Sequence, residues 1–338
     1  MIADRISLPF HSNPYSVMYH HLAFPLGILQ GHTEIDISPW LCDKYINCQF
    51  CFKKGSTQRY NIVLEDPWFL KDELFILQKV ILSPGLRQTL FGSYTEFLLN
   101  MINMGYYPNG NYNESLIPCK NSYGMEYYRH DYLLTGYDTN TNYFQSVGYV
   151  DDSKFCFFNI PFRIMEQSLE TLIEQRVELC FWGITPHANF SINIPAIRTD
   201  LASYLNSSST PYLPKEGYRY GISAHKSFGE YISFLTPKNA LSDRRYTRGF
   251  LEHKFLMRFR LNYLFHHGHI HTYEHVEMAE FLYQKATNIQ MLGLKFYLKP
   301  QQRLLNKMQL LVDEITDAEA HYLPLVLAEL SDHGDDNV

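Results

Sequence analysis

A histidine with acidic residues placed after neighbouring strand patterns is the first candidate for chemistry. His130 lies near the start of an aromatic and β-branched run, Asp138 follows that run, and Asp151 follows the next one. A strand histidine can meet a carboxylate at the end of a neighbouring strand, and that contact orients an imidazole for general-base work. We therefore predict His130 as a general base that Asp151 or Asp138 orients. The alternative is a structural histidine that is hydrogen-bonded without chemistry.

A second cluster consists of five histidines in the segment FHHGHIHTYEH, from His266 to His275. His267, His269 and His271 alternate, so an extended chain would place three imidazoles on one face. Such a set suits zinc or copper. The alternative is a polar loop between helices.

The cysteines offer less specific signals. Cys48-x-x-Cys51 matches half of a zinc knuckle or a redox pair, but no second pair follows at a suitable spacing. We expect these residues to be small buried hydrophobic side chains. Cys42 is an alternative candidate for a nucleophile at a shifted position in the sequence. Six cysteines in 338 residues do not predict a disulfide framework.

The elements that position His130 are predicted as three short strands. The segments 127–135, 143–150 and 154–160 alternate in the β manner and are separated by turns rich in Gly, Asn and Asp. Upstream, residues 67–104 are predicted to be helical, with Ser93 and Glu96 forming a capping box.

Further elements are predicted on both sides of this sheet. A hairpin with Asn109-Gly110-Asn111 at its tip covers 105–118. The remaining predictions are a helix over 161–175, a strand over 176–184, a helix over 193–208 and mostly helical structure from Thr236 onward.

The stretches HDYLLTGYD and VGYVDD resemble the histidine strand and the following acidic turn of papain-like cysteine peptidase folds. Within the papain-like folds, the resemblance is to the group that contains the peptidase domain of bacteriocin-processing transporters and butirosin biosynthesis protein H. The resemblance implies an α+β papain-like fold with a central antiparallel sheet and an N-terminal helix, followed by a C-terminal helical bundle. The corresponding domains are 1–235 for the papain-like part, 236–330 for the helical region and 331–338 for a disordered tail.

The nucleophile position is where the chain departs from this family. Family members begin the first long helix with a cysteine, whose thiol pKa is lowered by the helix N-terminus and by the facing histidine. Met18 matches that position here, and a thioether cannot attack a carbonyl. Ser16 is the substitute nucleophile that we consider. The resemblance assigns substrate binding to Met18, Tyr19, His20 and Tyr128.

The resemblance also implies a function in antibiotic biosynthesis and other secondary metabolism. The chain would act, like an acyltransferase or a cyclase, on an acyl or aminoacyl group tethered to a carrier protein of a nonribosomal peptide or polyketide system. It would need no cofactor of its own, since the phosphopantetheine arm carries the substrate. One alternative is a non-catalytic relative that binds a carrier protein or a synthetase, and another is a metal-dependent protein that uses the His266–His275 cluster.

Charge and hydropathy narrow the classes of partner. The net charge of −6 argues against nucleic acid, although a basic run from Arg244 to Arg260 could meet an acidic carrier protein. No run is long and apolar enough for a membrane span, and the N-terminus lacks a signal-peptide core. We predict a cytoplasmic protein and leave its oligomeric state open.

Overall fold

The computed structural model describes residues 3–51, 62–64, 75–82, 89, 92–150, 154–172, 177–184, 190–209, 217–238 and 245–332. These residues form a mixed α and β structure. The chain divides into two compact units. Unit 1 comprises Met1–Ile35 and Trp68–Asn189, and unit 2 comprises Asp36–Pro67 and Phe190–Val338. The predicted domain boundary at residue 235 therefore falls inside unit 2, which also takes in residues 36–67.

Ten strands and nine α-helices lie in the described part of the chain. The strands are β1 (Arg5–Ser7), β2 (Cys48–Cys51), β3 (Ile62–Leu64), β4 (Phe75–Leu82), β5 (Tyr107–Asn113), β6 (Arg129–Asp138), β7 (Tyr143–Val150), β8 (Lys154–Pro161), β9 (Val177–Ile184) and β10 (Tyr218–Tyr220). The helices are α1 (His20–Gly31), α2 (Ser38–Asp43), α3 (Tyr94–Asn103), α4 (Phe162–Glu170), α5 (Ile194–Leu205), α6 (Gly221–Phe234), α7 (Arg245–His266), α8 (Tyr273–Leu298) and α9 (Gln302–Asp332).

Unit 1 is built on a seven-stranded antiparallel sheet. Its order is β4-β9-β5-β6-β7-β8, and β1 pairs with the end of β6. Residues 132–137 of β6 are all buried, so both faces of this central strand are covered, and the core on one side contains Tyr132, Leu134 and Phe144 together with α3 and α4. The three central strands are confirmed, and so is the strand predicted over 176–184.

Two predictions upstream of the central strands are wrong. Residues 75–82 form β4 rather than helix, because FILQKVIL is an apolar run that suits a buried strand as well as a helix. The predicted hairpin over 105–118 is a single strand, β5, followed by a short 3₁₀ turn at Glu114–Leu116. Asn109 and Gly110 lie in the middle of that strand and pair with both β6 and β9.

Local capping signals agree with the structure at α3 and α5. Ser93 Oγ accepts a hydrogen bond of 3.0 Å from the backbone N–H of Glu96, and Asn193 Oδ1 accepts one of 3.0 Å from Ala196. The helix predicted over 161–175 is shorter, since α4 ends at Glu170.

Unit 2 combines a small antiparallel sheet, ordered β10-β2-β3, with α2 and α5–α9. Long helices dominate its C-terminal part, as predicted from Thr236 onward, and α9 extends through Asp332. Residues 333–338 of the predicted tail lie outside the described residues. Among the helices that the structure describes, none is both long and apolar enough to cross a membrane.

Candidate functional site

The candidate site in unit 1 centres on His130 and a carboxylate that was not predicted. His130 Nδ1 lies 2.7 Å from Glu114 Oε2, an ion-pair contact. The two atoms are close without the alignment of a good hydrogen bond. The His130 side chain is 32% exposed while that of Glu114 is 9% exposed, so the pair lies at the edge of the protein interior.

Strand pairing explains why Glu114 meets His130. Tyr112 on β5 lies directly opposite His130 on β6. Glu114 is the first residue of the 3₁₀ turn that follows β5, so it lies just past the strand position that pairs with His130. The Glu114 backbone N–H then bonds to Tyr128 O at 2.8 Å, which fixes the turn beside β6.

The Glu114 carboxylate is held charged by its neighbours. Ser122 Oγ donates a hydrogen bond of 2.8 Å to Glu114 Oε1, and Lys120 Nζ lies 3.8 Å from Oε2. Burial alone would raise the pKa of Glu114, but the contacts with His130, Lys120 and Ser122 together hold it below its usual value. A charged carboxylate at Nδ1 favours the tautomer whose lone pair is on Nε2, which is the form that a general base needs.

The first residue of α1 faces this pair. The ring centroids of His20 and His130 are 4.9 Å apart, and the His20 ring also stacks on Phe24. Burial, assisted by the charges of His130 and Lys120, lowers the pKa of His20 well below its usual value, so its imidazole is neutral. His20 Nε2 is buried and has no hydrogen-bond partner among the described residues.

A glycine on β7 leaves a small space between His20 and Lys120. A Cβ placed on Gly148 would lie 3.4 Å from His20 Nε2, 3.5 Å from Lys120 Nζ and 3.7 Å from the Phe158 ring. These are ordinary contact distances, so a methyl-sized group fits there. Lys120 Nζ itself donates to Tyr149 O and lies over the Phe158 ring, with 4.5 Å to the ring centroid.

The predicted orienting acids have different positions. Asp138 lies at the opposite end of β6, about 26 Å from His130 at the usual rise per residue, and it caps the following turn by accepting from Asn140 and Thr141. It therefore does not orient His130. Asp151 lies outside the described residues.

Most of the predicted nucleophile and binding residues lie just before α1 or at its first residue, and Tyr128 immediately precedes β6. Ser16 and Met18 are buried, at 0% and 2% exposure, and Tyr19 is the N-cap of α1. Tyr128 is 45% exposed, and its ring centroid lies 5.7 Å from that of His130. The structure thus brings His20 and Tyr128 to the His130 ring.

The remaining thiol candidate, Cys42, lies in unit 2 rather than beside His130. It is fully buried, and this burial raises the pKa of its thiol to about 12. A thiol of that kind is not a thiolate nucleophile at neutral pH.

In the described part of the chain, the basic run consists of buried side chains and ion-paired side chains. Lys254 and Arg260 are buried, and Arg260 donates to the carbonyl oxygens of Cys42 and Lys44. Arg248 pairs with Glu252 at 2.6 Å, and Arg258 pairs with Glu280 at 3.1 Å. Arg244 lies outside the described residues.

The histidine cluster is a loop between α7 and α8. His267 stacks on Tyr263, and its Nδ1 bonds to Tyr263 O, while His271 is exposed. The structure does not gather His267, His269 and His271 into a metal-ligand set; the set that it does gather within the described ranges is Cys48, His225 and His253. The arrangement therefore favours the polar-loop alternative for this segment over the metal-site alternative.

Comparison with known proteins adds no relative: no protein-family model matches the chain, and no curated protein matches it with significant similarity.

The geometry around His130 suits proton transfer. An imidazole beside a carboxylate is able to accept a proton, and His20 Nε2 and Lys120 Nζ line the space at Gly148. In the described part of the chain, the side chains in contact with the His130 ring are those of Glu114, His20 and Tyr128. None of these three side chains is a serine or cysteine nucleophile.

Proposed function

We propose that this chain acts in natural-product biosynthesis on a carrier-tethered acyl or aminoacyl group, and that it does so without a covalent acyl-enzyme. Unit 1 is, in this proposal, a papain-like domain that has lost its cysteine, and α7–α9 are a helical bundle. The reaction is acyl transfer or cyclisation, in which the acceptor is supplied by a substrate rather than by the protein.

The contact between His130 and Glu114 at the start of α1 is the observation that carries the proposal. Papain-like enzymes place a base opposite a helix that begins with cysteine. Here the base and its carboxylate are 2.7 Å apart, and the helix begins with His20. The buried thioether of Met18 cannot serve as the nucleophile.

The proposed step uses His130 as base and then as acid. His130 Nε2 removes a proton from the amine or hydroxyl of the acceptor while that group attacks the thioester carbonyl. The C–S bond to phosphopantetheine breaks, and the departing thiolate takes the proton back from the imidazolium. The carbonyl oxygen occupies the space at Gly148, where Lys120 and His20 donate to it as negative charge develops.

The test uses a carrier protein loaded with an acyl thioester, a soluble amine as the acceptor, and intact-protein mass spectrometry. We expect the carrier to lose its acyl group with no mass gain on this chain. Loss of a general base usually lowers such a rate by about 10²–10⁴-fold, and we expect this of His130→Ala. A mass gain on the wild-type chain would overturn the non-covalent mechanism.

Gly148→Ala examines the same site by occupying its space. The added methyl meets neighbours at 3.4–3.7 Å, so the protein should fold normally while acyl release is lost. Gly124→Ala is unsuitable as the control because Gly124 has φ of +72°. Asp131→Asn is the better control, since Asp131 is exposed and bonds to Asn111.

A second candidate function is binding without turnover, which the buried Met18 and Ser16 favour. In that case the acyl carrier would bind and keep its acyl group. Gly148→Ala would then weaken carrier binding, measured by calorimetry with acyl-loaded against unloaded carrier.

A further inference from the structure

Three potential metal ligands meet in the interior of unit 2. Cys48 comes from β2, His225 from α6 and His253 from α7, and each side chain is fully buried. One ligand atom of each lies within 4.8 Å of the others, and Cys48 Sγ is 3.4 Å from His225 Nε2.

The hydrogen bonds fix which nitrogen of His225 carries its proton. Tyr204 OH donates to Glu319 Oε2 at 2.6 Å, so its hydrogen is already used. His225 Nδ1 lies 3.0 Å from the same hydroxyl oxygen and 3.4 Å from Glu319 Oε2, and we assign its proton to this side. Lys254 Nζ is 3.4 Å from the same nitrogen, but it already donates to both carboxylate oxygens of Glu319 at 2.6 Å. The lone pair of His225 is left on Nε2, which is the nitrogen that faces the Cys48 sulfur.

The same reasoning applies to His253. Its Nε2 lies 2.9 Å from Ile46 O, which can only accept, so Nε2 carries the proton. The lone pair is then on Nδ1, which is buried and has no hydrogen-bond partner among the described residues. Both histidines thus have one nitrogen anchored by an acceptor and the other able to bind an ion, the pattern of a metal-ligating imidazole.

We propose that Cys48, His225 and His253 bind one first-row transition-metal ion with a preference for thiolate and imidazole, either zinc or Cu(I). Typical metal–sulfur and metal–nitrogen bonds of about 2.3 and 2.0–2.1 Å place the two ligand atoms of a tetrahedral ion about 3.6 Å apart. The distance between Cys48 Sγ and His225 Nε2 is close to this value. In the metal-free protein the Cys48 thiol donates to Gly221 O at 3.7 Å, and metal binding would replace this contact.

The net charge of the site would differ between zinc and Cu(I). Lys254 Nζ binds both carboxylate oxygens of Glu319 at 2.6 Å, so this buried pair adds no net charge. Cu(I) with a Cys48 thiolate is then neutral, while zinc with the same thiolate leaves one positive charge. Both ions would tie β2 to α6 and α7.

Cys51 supplies a matched control for Cys48. The two cysteines are three residues apart on β2, so their side chains point to opposite faces of the strand. The Cys48-x-x-Cys51 spacing consequently does not make a two-cysteine site, and Cys51→Ser should leave metal binding intact.

The experiment uses the full chain without a histidine tag, stripped with a chelator under reducing conditions. Zinc is added to one sample and Cu(I), without oxygen, to another; each is desalted, and the metal per chain is measured by elemental mass spectrometry. We expect about one ion per chain in the wild type and in Cys51→Ser. We expect a loss of at least tenfold in Cys48→Ser, and the metal should raise the thermal midpoint of the wild type but not of this variant.

Cobalt(II) provides a readout that does not depend on folding of the Cys48 variant. A thiolate-to-cobalt charge-transfer band in both the wild type and Cys51→Ser supports the zinc form of the site, and a band that is absent from Cys51→Ser but present in the wild type overturns the proposal. The proposal is also overturned if the wild type retains neither zinc nor Cu(I), or if a folded Cys48→Ser or His253→Gln variant retains as much as the wild type. None of these results bears on the His130 site, so the two proposals fail separately.

Discussion

At the scale of single residues, Glu114 contributes to the chemistry that we propose for unit 1 and to its stability. It contacts His130, Lys120 and Ser122 from a buried position. Its pKa is lowered in the folded protein, so its stabilising contribution is complete above the unfolded pKa of about 4.5 and is lost as the pH falls through the folded value.

We expect Glu114→Gln to lower the free energy of unfolding at pH 7 by about 1–3 kcal/mol, because the buried ammonium of Lys120 loses the negative charge beside it. Urea unfolding of the wild type and the variant at pH 7 and pH 3.5 measures this, and the difference should shrink at the lower pH. The neighbouring exposed acid gives the control, Asp131→Asn, which should stay within about 0.5 kcal/mol of the wild type. An equal loss in both variants would contradict a specific role of Glu114.

The residue scale also shows what the sequence could and could not reveal about the site. His130 stands alone in a strand pattern and is visible from its type and surroundings. Glu114 became its partner through the pairing of Tyr112 with His130, which is not a local property. The Asn-Gly pair at 109–110 suggested a turn, and a turn there would have carried Glu114 elsewhere.

At the scale of elements, prediction worked where a local signal was sufficient. The strands around 127–160 have alternation and turns, and α3 has its Ser93 cap. It failed at β4, where an apolar run is compatible with strand and helix alike and only the pairing with β9 decides.

The packing of α1 gives a prediction at this scale. A Cβ on Gly31 would lie 2.5 Å from the backbone nitrogen of Phe10, so the segment at residues 9–10 can approach α1 only because Gly31 has no side chain. Although alanine favours helix by about 1 kcal/mol over glycine, we expect Gly31→Ala to destabilise unit 1 by about 1–3 kcal/mol.

Thermal and urea unfolding measure the Gly31→Ala change, and Gly27→Ala is its companion. The three atoms nearest to a methyl at Gly27 all belong to the ring of Phe10, which can move more readily than backbone. The loss should therefore be larger for Gly31→Ala. A Gly31→Ala protein more stable than the wild type would show that helix propensity outweighs the close approach.

At the scale of the whole molecule, the division into two units was beyond local patterns. Unit 2 takes Asp36–Pro67 from within the first part of the chain and joins it to Phe190–Val338. Nothing in the composition of residues 36–67 marks them as belonging with the C-terminal helices. Cys48 on β2 lies close to His225 and His253 because of this long-range association. The Cys-x-x-Cys spacing alone therefore could not predict which residues form the proposed ligand set.

Buried neutral histidines in both units predict how the whole molecule responds to acid. Burial lowers the pKa of His21 and of His225 to about 4 each, and it lowers the pKa values of His20 and His253 well below their usual value. In the unfolded chain these groups titrate near 6.5, so the unfolded state binds more protons between pH 6.5 and 4. Stability is therefore complete above pH 6.5 and falls as the pH is lowered, by about 1.4 kcal/mol per pH unit for each histidine.

We expect the free energy of unfolding of the metal-free protein, measured with urea from pH 7.5 to 4.5, to fall steeply below pH 6.5. Most carboxylates titrate below that range, so the slope reports the histidines. His21→Gln should reduce the slope by about 1.4 kcal/mol per pH unit, while the exposed His321 gives the control His321→Gln. A free energy that stays constant down to pH 4.5 would mean that these imidazoles accept protons in the folded protein, and the burial that we assign to them would then be wrong.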